Sequence, residues 1–109
     1  MSYRLDEFAA GDIDAITEFY VRSDRRTAVN FINELCNSIA MLQANPQMGQ
    51  MVEDGCRRFI LRRFPLSLIY KIDEIKKQIV VIAVTHHSRR PDHWQRRVQE
   101  EPAEYLLAA

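Results

Sequence analysis

The stretch RRFILRRFPLSLIYKIDEIKKQIVVIAVTH, residues 57–86, contains the patterns that decide the fold. Its side chains alternate or run apolar and include many β-branched types, and it is interrupted by a proline and by a charged turn. Pro65 lies between strands, where its missing N–H costs no ladder hydrogen bond. The patterns predict three strands, over residues 57–63, 66–73 and 78–86. Because only the short turn at 74–77 separates the last two, we expect an antiparallel meander.

Two amphipathic helices are predicted before the meander. Apolar residues recur at spacings of three and four over residues 13–20 and indicate a helix that Asp12 would cap. A second apolar stripe predicts a helix that begins at residue 23 or 24 and ends before the Asn-Pro pair at 45–46, because proline disfavours helical geometry at the preceding residue. With almost no loop between them, the helices should form an antiparallel hairpin.

A short strand over residues 3–8 completes the predicted fold. The order of one strand, a helical hairpin and a three-stranded antiparallel meander describes an α+β domain with one sheet and both helices on one face of it. The other face is expected to be free. We therefore expect the functional residues on that free face.

The length and composition fit one compact domain. The chain has 109 residues, of which 47% are hydrophobic, and we expect the domain over residues 1–99 and a fraying acidic tail over 100–109. The longest unbroken apolar run is far shorter than the roughly 20 residues that span a bilayer, and the start of the sequence does not resemble a signal peptide. These features predict a cytoplasmic protein with no membrane partner, in which Cys36 and Cys56 stay reduced.

Formal charge is divided unevenly along the chain. Residues 1–54 contain four basic and nine acidic residues, whereas residues 55–99 contain eleven basic and three acidic ones. A basic half on a chain with zero net charge is typical of a protein with one face that binds phosphate or an acidic partner. A solvated basic face without any ligand explains the division equally well.

Alternation along the first meander strand divides its side chains between the two sheet faces. One face receives Arg58, Ile60 and Arg62, and the other receives Arg57, Phe59, Leu61 and Arg63. The third strand ends at His86 and His87, which should point to opposite sides. Arginine suits phosphate binding and histidine suits proton transfer near neutral pH. The alternative for each histidine is a purely structural role at the end of the strand. Trp94, further along the chain, could form a platform on which a base stacks, and the alternative is that its ring only fills a hydrophobic position at the edge of the sheet.

Metal and cofactor chemistry find little support in the sequence. The histidines and cysteines lack the paired spacing of a structural zinc site. With only three glycines there is no glycine-rich phosphate loop, and no nucleophile elbow is present. We expect neither a metal nor a cofactor.

Three segments, in addition to the order of the elements, carry a resemblance to a known family. They are ANPQMG after the second helix, the strand pair RRFILRRFPLSLIYKID, and the ending IVVIAVTHHSRRPDHW. Together they resemble toxins of the RelE/ParE superfamily, the toxic halves of bacterial type II toxin-antitoxin modules, and especially those called plasmid stabilisation proteins. The resemblance covers roughly residues 3–97. It implies a small α+β toxin that a cognate antitoxin protein neutralises.

The resemblance implies two different activities. RelE-like members are ribosome-dependent endoribonucleases that cleave messenger RNA by activating a ribose 2′-OH against the adjacent phosphate, with basic residues stabilising the developing charge. ParE-like members are not enzymes of this kind and poison DNA gyrase. A degenerate member would only bind its antitoxin. The expected partners beyond the antitoxin are thus the ribosome with its mRNA, or DNA gyrase, and a homodimer stays open.

The resemblance and the residue chemistry together give two sets of candidate site residues. The candidate catalytic residues are Arg58, Arg62, His86, His87 and Arg89. The candidate RNA-binding or partner-binding residues are Arg57, Arg63, Arg90, Trp94, Arg96 and Arg97.

Overall fold

A computed structural model of the chain describes residues 1–87. The elements are β1 (Ser2–Leu5), α1 (Glu7–Ser23), α2 (Arg25–Ala44), β2 (Gln50–Met51), β3 (Arg57–Ile60), β4 (Leu66–Asp73) and β5 (Gln78–His86). The predicted α+β class is confirmed, and the bounds of β4 and β5 agree with those predicted. The predicted acidic tail, residues 100–109, lies outside the described residues.

The strands form one five-stranded mixed sheet in the order β1-β5-β4-β3-β2. The meander β3-β4-β5 is antiparallel as predicted, but the sheet is larger than the meander alone. β1 pairs in parallel with β5 at one edge, and β2 pairs with β3 at the other. A strand of two residues is too short to show any alternation, which is why the sequence pattern did not reveal β2.

The first helix begins earlier than predicted, and Asp12 is not its cap. Asp6 caps α1, because its Oδ1 accepts hydrogen bonds from the backbone N–H groups of Phe8 at 2.8 Å and Ala9 at 3.2 Å. Asp12 lies inside α1, and its Oδ2 accepts a hydrogen bond from the backbone N–H of Val84 at 3.1 Å. The side chain predicted as a cap therefore ties α1 to β5.

A single residue, Asp24, joins the two helices. Its backbone N–H donates to the carbonyl of Tyr20 at 2.7 Å and closes α1. Its side chain accepts from the backbone N–H of Arg26 at 3.1 Å and opens α2. One aspartate thus satisfies backbone groups at both helix ends, and the predicted hairpin and its junction are confirmed.

The helices cover one face of the sheet. Phe31, Leu35 and Leu42 of α2 are buried against alternate residues of β4, and Ala9 of α1 belongs to the same cluster. The buried residues of β4 and β5 in this cluster are Leu66, Leu68, Tyr70, Ile79, Val81 and Val84. Each buried aliphatic side chain of this kind contributes about 1.5 to 3 kcal/mol of transfer free energy. This cluster is the main core.

The second sheet face is not free at its centre, contrary to the expectation from the sequence. Ile69, Ile82, Ala83 and Cys56 have no solvent-exposed area and form a second buried cluster. The cause is visible in the composition of β5, which is apolar at successive positions and not only at alternate ones, as in strands that are covered on both sides. Within residues 1–87, neither helix is long and apolar enough to cross a membrane.

Candidate functional site

Hydrogen bonds of Tyr70 and Arg57 hold the loop after α2 against the sheet, and we call this set of contacts the lock. The Tyr70 hydroxyl donates to the carbonyl of Pro46 at 2.6 Å and accepts from the backbone N–H of Gly49 at 2.9 Å. Arg57 completes the lock, because its Nη1 donates to the carbonyls of Gln47 and Gly49 at 3.1 and 2.8 Å. Arg57, a candidate partner-binding residue, therefore has its guanidinium engaged within its own chain.

Two features of this lock follow from close packing. A Cβ on Gly49 would lie 2.5 Å from the Tyr70 hydroxyl oxygen and 2.7 Å from Cε1 of the same ring, so only glycine fits without a shift. Burial raises the pKa of the Tyr70 hydroxyl, and the Gly49 hydrogen bond and the Arg57 charge offset part of that rise. The ANPQMG segment thus has a structural role in the described fold.

The alternation predicted that Arg58 and Arg62 share one sheet face and that Arg57 and Arg63 share the other. The structure does not have this arrangement. β3 ends at Ile60 instead of continuing to residue 63, so the alternation stops there. Arg58 and Ile60 are exposed on the face away from the helices, whereas Phe59 packs against the main core. Arg62 follows the end of the strand and lines a groove beside α2. The prediction that Arg58 and Arg62 lie on one face is therefore wrong.

A polar groove lies between α2 and the segment that follows β3, and we call it the α2 groove. Its volume is about 470 Å³, and its polar lining comes mainly from Asn30, Asn33 and Asn37 of α2 and from Arg62 and Arg63. The carboxylate of Glu34 accepts the backbone N–H of Arg63 at 3.1 and 3.2 Å. This contact holds the segment against α2, and both Arg62 and Arg63 are exposed residues.

A second groove lies beside α1, and His86 is one of its lining residues. This α1 groove has a volume of about 330 Å³ and is also lined by Asp12, Phe19, Tyr20 and Thr85. Phe19 is 66% exposed, so the groove has an apolar rim. Burial raises the pKa of the Tyr20 hydroxyl.

A bulge in β5 determines the face on which His86 lies. Ile69 opposes Ala83 and Tyr70 opposes Val81, so Ile82 is an extra residue without a partner on β4. Beyond the bulge the alternation is reversed, and His86 opposes Leu66 on the helix-covered face. Arg58 opposes Ile69 on the other face. His86 and Arg58 are therefore on opposite sides of the sheet.

Three aromatic rings, of Tyr20, Phe31 and Phe64, form one group. Tyr20 contacts Phe31 and Phe64 with ring centroids 5.7 and 5.3 Å apart, and Phe31 and Phe64 are 5.7 Å apart. Tyr20 lines the α1 groove, and Phe64 directly follows the arginines of the α2 groove. The two grooves share no lining residue, so His86 and the arginine pair 62–63 belong to different grooves.

The backbone of His87 is hydrogen-bonded to the segment that follows Arg62 and Arg63. Its backbone N–H donates to the carbonyl of Pro65 at 2.9 Å, and its ring centroid is 6.5 Å from that of His86. Both histidines are exposed. The candidates Arg89, Arg90, Trp94, Arg96 and Arg97 lie outside the described residues.

The sequence reasoning missed the asparagines of the α2 groove. Asn30, Asn33 and Asn37 follow the spacing of one helix face, and this stripe was a usable signal. The position of this asparagine stripe beside the sheet could not be predicted from the sequence, because it depends on how α2 packs. Among residues 1–87, no group of three or more His, Cys, Asp or Glu side chains is arranged to hold a metal ion.

Comparison with known proteins assigns the chain to a family. The family described as the ParE toxin of the type II toxin-antitoxin system parDE matches residues 3–91. No protein of curated function matches this sequence significantly.

Two solved structures contain chains that are similar to this one. The chromosomal ParDE toxin-antitoxin system from P. aeruginosa contains a chain that is 28% identical to this one, with a TM-score of 0.69 over 79% of this chain and 95% of the other. The RelBE2 toxin-antitoxin complex from Mycobacterium tuberculosis contains a chain at 18% identity and a TM-score of 0.55, over 81% of this chain and 92% of the other, which supports the fold alone. The predicted RelE/ParE resemblance is confirmed, and the chain belongs to the ParE toxin family of type II toxin-antitoxin systems.

Proposed function

We propose that this toxin acts by binding its target and not by cleaving RNA, and that the target is DNA gyrase. The observation that carries the proposal is the placement of Arg58 and His86 on opposite faces of the sheet. Cleavage by an activated 2′-OH needs a cation and a proton carrier that converge on one phosphate. A toxin that blocks its target by surface contact has no such requirement.

The positions of the remaining described candidates support the same proposal. Arg62 lines the α2 groove and His86 lines the α1 groove, and the two grooves have no lining residue in common. Arg57 is engaged by the carbonyls of its own loop. Membership of the ParE family favours gyrase, as the resemblance implies. Inhibition of gyrase places the action of the toxin in the cytoplasm, where an antitoxin neutralises it.

One observation favours an endoribonuclease as the second candidate function. The His87 backbone N–H donates a hydrogen bond to the carbonyl of Pro65, which is only two residues from Arg63. His87 and Arg63 therefore lie at the same end of the sheet. A histidine and an arginine at one edge are the smallest set that could move a proton and stabilise a phosphate.

An assay of both activities on one preparation distinguishes the candidates. The purified chain is added to gyrase with relaxed plasmid, and separately to ribosomes programmed with a defined mRNA. We expect supercoiling to stop while the mRNA stays intact, and we expect the double variant His86→Gln with His87→Gln to inhibit supercoiling as well as the wild type. Ribosome-dependent mRNA cleavage that the double variant loses would contradict the proposal and establish the second candidate.

A further inference from the structure

Three exposed arginines surround the junction of the two helices. Arg22 lies in the last turn of α1, and Arg25 and Arg26 are the first two residues of α2. All three are exposed, and we call them the junction arginines. Because only Asp24 separates the two helices, the three side chains start from one short stretch of backbone at one end of the molecule.

The acidic residue at the junction is engaged within the chain. Asp24 is the only acidic residue between Phe19 and Asn33. Its Oδ1 accepts a hydrogen bond from the backbone N–H of Arg26 at 3.1 Å, and its Oδ2 accepts one from the Thr27 hydroxyl at 3.3 Å. Within residues 1–87, none of the junction guanidinium groups forms an ion pair. The junction therefore presents exposed cations that no carboxylate of the described chain pairs with.

Two of the junction arginines lie where a helix disfavours cations. The positive end of the helix dipole is at the N-terminus, so a cation in the first turn lowers the stability of the helix. Arg25 and Arg26 are in the first turn of α2, which contains no acidic residue. Residues that break a local rule of stability are expected at functional sites. A binding role therefore explains Arg25 and Arg26 better than helix stability does.

The elements beside the junction extend the basic surface. The rings of Tyr20 and Phe64 have centroids 5.3 Å apart, so the segment that contains Arg62 and Arg63 meets the end of α1. The backbone of His87 is hydrogen-bonded to the same segment. This end of the molecule thus carries arginine or histidine on three adjacent elements.

The junction suits a phosphate backbone better than unstacked bases. Proteins that bind single strands stack successive bases on exposed aromatic rings. Phe31 is buried, and its ring packs against those of Tyr20 and Phe64, so of these neighbouring rings only Phe19 is largely exposed. One ring is not a platform for several bases. Duplex DNA offers one negative charge per about 1.7 Å of its axis, and cations without a stacking platform match that density of charge.

We propose that the junction arginines bind the phosphate backbone of duplex DNA. Arginine makes charge-assisted and often bidentate hydrogen bonds with phosphate, and this binding needs no particular base sequence. On gyrase, which holds duplex DNA, the contact with DNA would add to the contact with the protein. That last step rests on the proposed function, whereas DNA binding by the free toxin does not.

The test measures binding of the purified chain to a short labelled duplex over a range of about 50 to 200 mM salt. The variant carries Arg22→Gln, Arg25→Gln and Arg26→Gln, and we call it the junction-Gln variant. Each phosphate contact contributes about −0.9 to the slope of log K against log salt concentration. We expect the slope of the variant to be less negative by about 2.7, and its binding at the lowest salt to be weaker by about tenfold or more.

A matched control removes three exposed cations elsewhere. Arg58→Gln, Lys76→Gln and Lys77→Gln change residues of β3 and of the β4-β5 turn. This triple variant has the same net charge as the junction-Gln variant, and its slope should equal that of the wild type. Replacement of the junction arginines by lysine keeps three positive charges, and most of the slope should remain.

The melting temperature distinguishes a binding role from a structural one. Neutralising Arg25 and Arg26 removes an unfavourable interaction with the dipole of α2. We therefore expect the junction-Gln variant to melt no lower than the wild type although it binds DNA more weakly. A structural role would lower both the melting temperature and the affinity.

Four results would overturn the proposal. The first is no duplex binding by the wild type at the lowest salt, and the second is a wild-type slope in the junction-Gln variant. The third is an equal loss in the matched control, because net charge alone would then explain the binding. The fourth is tighter binding of a single-stranded RNA than of the duplex. Failure of the wild type to inhibit gyrase would leave these readouts unaffected and would contradict only the proposed function.

Discussion

Two arginine pairs, at residues 57–58 and 62–63, have the same sequence but different surroundings. Arg57 belongs to a part of the sheet where β2 covers the strand edge and where its guanidinium binds two carbonyls of the preceding loop. Arg62 and Arg63 follow the end of β3 and line an open groove. Position in the fold, and not residue type, therefore decides whether an arginine here stabilises the chain or is available to a partner.

The same contrast holds for the surrounding hydrogen bonds. Around Arg57, the Tyr70 hydroxyl both donates and accepts in a buried position. Around Arg62, the contact to α2 is made by the carboxylate of Glu34 with a backbone N–H, so no side chain of the arginine pair is used. Substitutions at the first region should change stability, and substitutions at the second should change binding.

The largest expected effect comes from Tyr70→Phe. The variant leaves the Gly49 N–H and the Pro46 carbonyl without their partner, and we expect the free energy of unfolding to fall by about 2 to 4 kcal/mol. Urea denaturation measures it. Tyr3→Phe is the control, because Tyr3 is 47% exposed and should change stability by less than about 0.5 kcal/mol. Equal stability of the two variants would mean that the lock is not an important source of stability.

Gly49→Ala should have the next largest effect. Its Cβ would lie 2.5 Å from the Tyr70 hydroxyl oxygen and 2.7 Å from the ring atom Cε1, and overpacking of this kind costs about 1 to 3 kcal/mol. Gly11→Ala is the matched control, because Gly11 lies within α1 and a Cβ there has no atom within 4 Å. We expect the control to gain about 0.5 to 1 kcal/mol. Destabilisation by both variants would argue against the packing explanation.

Alkaline pH should weaken the lock region. Burial raises the pKa of the Tyr70 hydroxyl above its ordinary value of 10.0, so above about pH 10 the unfolded chain loses this proton before the native state does. The stabilisation is complete below that pH and is lost as the pH rises toward the native pKa, by at most ~1.4 kcal/mol per pH unit for one group. Urea denaturation over this range measures the slope.

The control for this slope is Tyr70→Phe. The variant should show a smaller decrease of the free energy of unfolding with pH, and the remaining decrease should include Tyr20, whose pKa is also raised by burial. Identical slopes in the wild type and the variant would contradict a raised pKa at Tyr70.

The sequence predicted the parts of the fold that depend on local patterns. The α2 stripe and the alternation in β4 were sufficient for their bounds, because the apolar positions that each period marks are buried in the main core or packed against it. Asp12 was mistaken for a cap because an aspartate at the start of an apolar stripe satisfies the local rule. Asp6 is the cap, and the contact of Asp12 with Val84 joins residues 72 positions apart, which no local pattern contains.

The candidate site was less predictable for the same reason. In β5 every residue from Ile79 to Val84 is apolar, so the extra residue at Ile82 left no mark in the alternation, yet it moves His86 to the other face. The end of β3 at Ile60 likewise separates Arg62 from Arg58. The extra residue in β5 and the early end of β3 thus separate candidates that uninterrupted strands would have placed on one face.

The smallest expected effects separate the two arginine pairs directly. Arg57→Ala removes two hydrogen bonds to carbonyls in a half-buried position and should cost about 1 kcal/mol of unfolding free energy. Arg62→Ala removes an exposed side chain that has no ion pair within residues 1–87, and it should cost less than about 0.5 kcal/mol. Arg57→Lys sharpens the measurement, because a lysine keeps the charge but its ammonium nitrogen lies one bond short of Nη1, the atom that donates both hydrogen bonds, so most of the loss should remain. Urea denaturation measures both losses. If Arg57→Ala and Arg62→Ala lost equally little stability, the contacts of the Arg57 guanidinium with the loop carbonyls would contribute nothing. Arg57 would then be as available to a partner as Arg62.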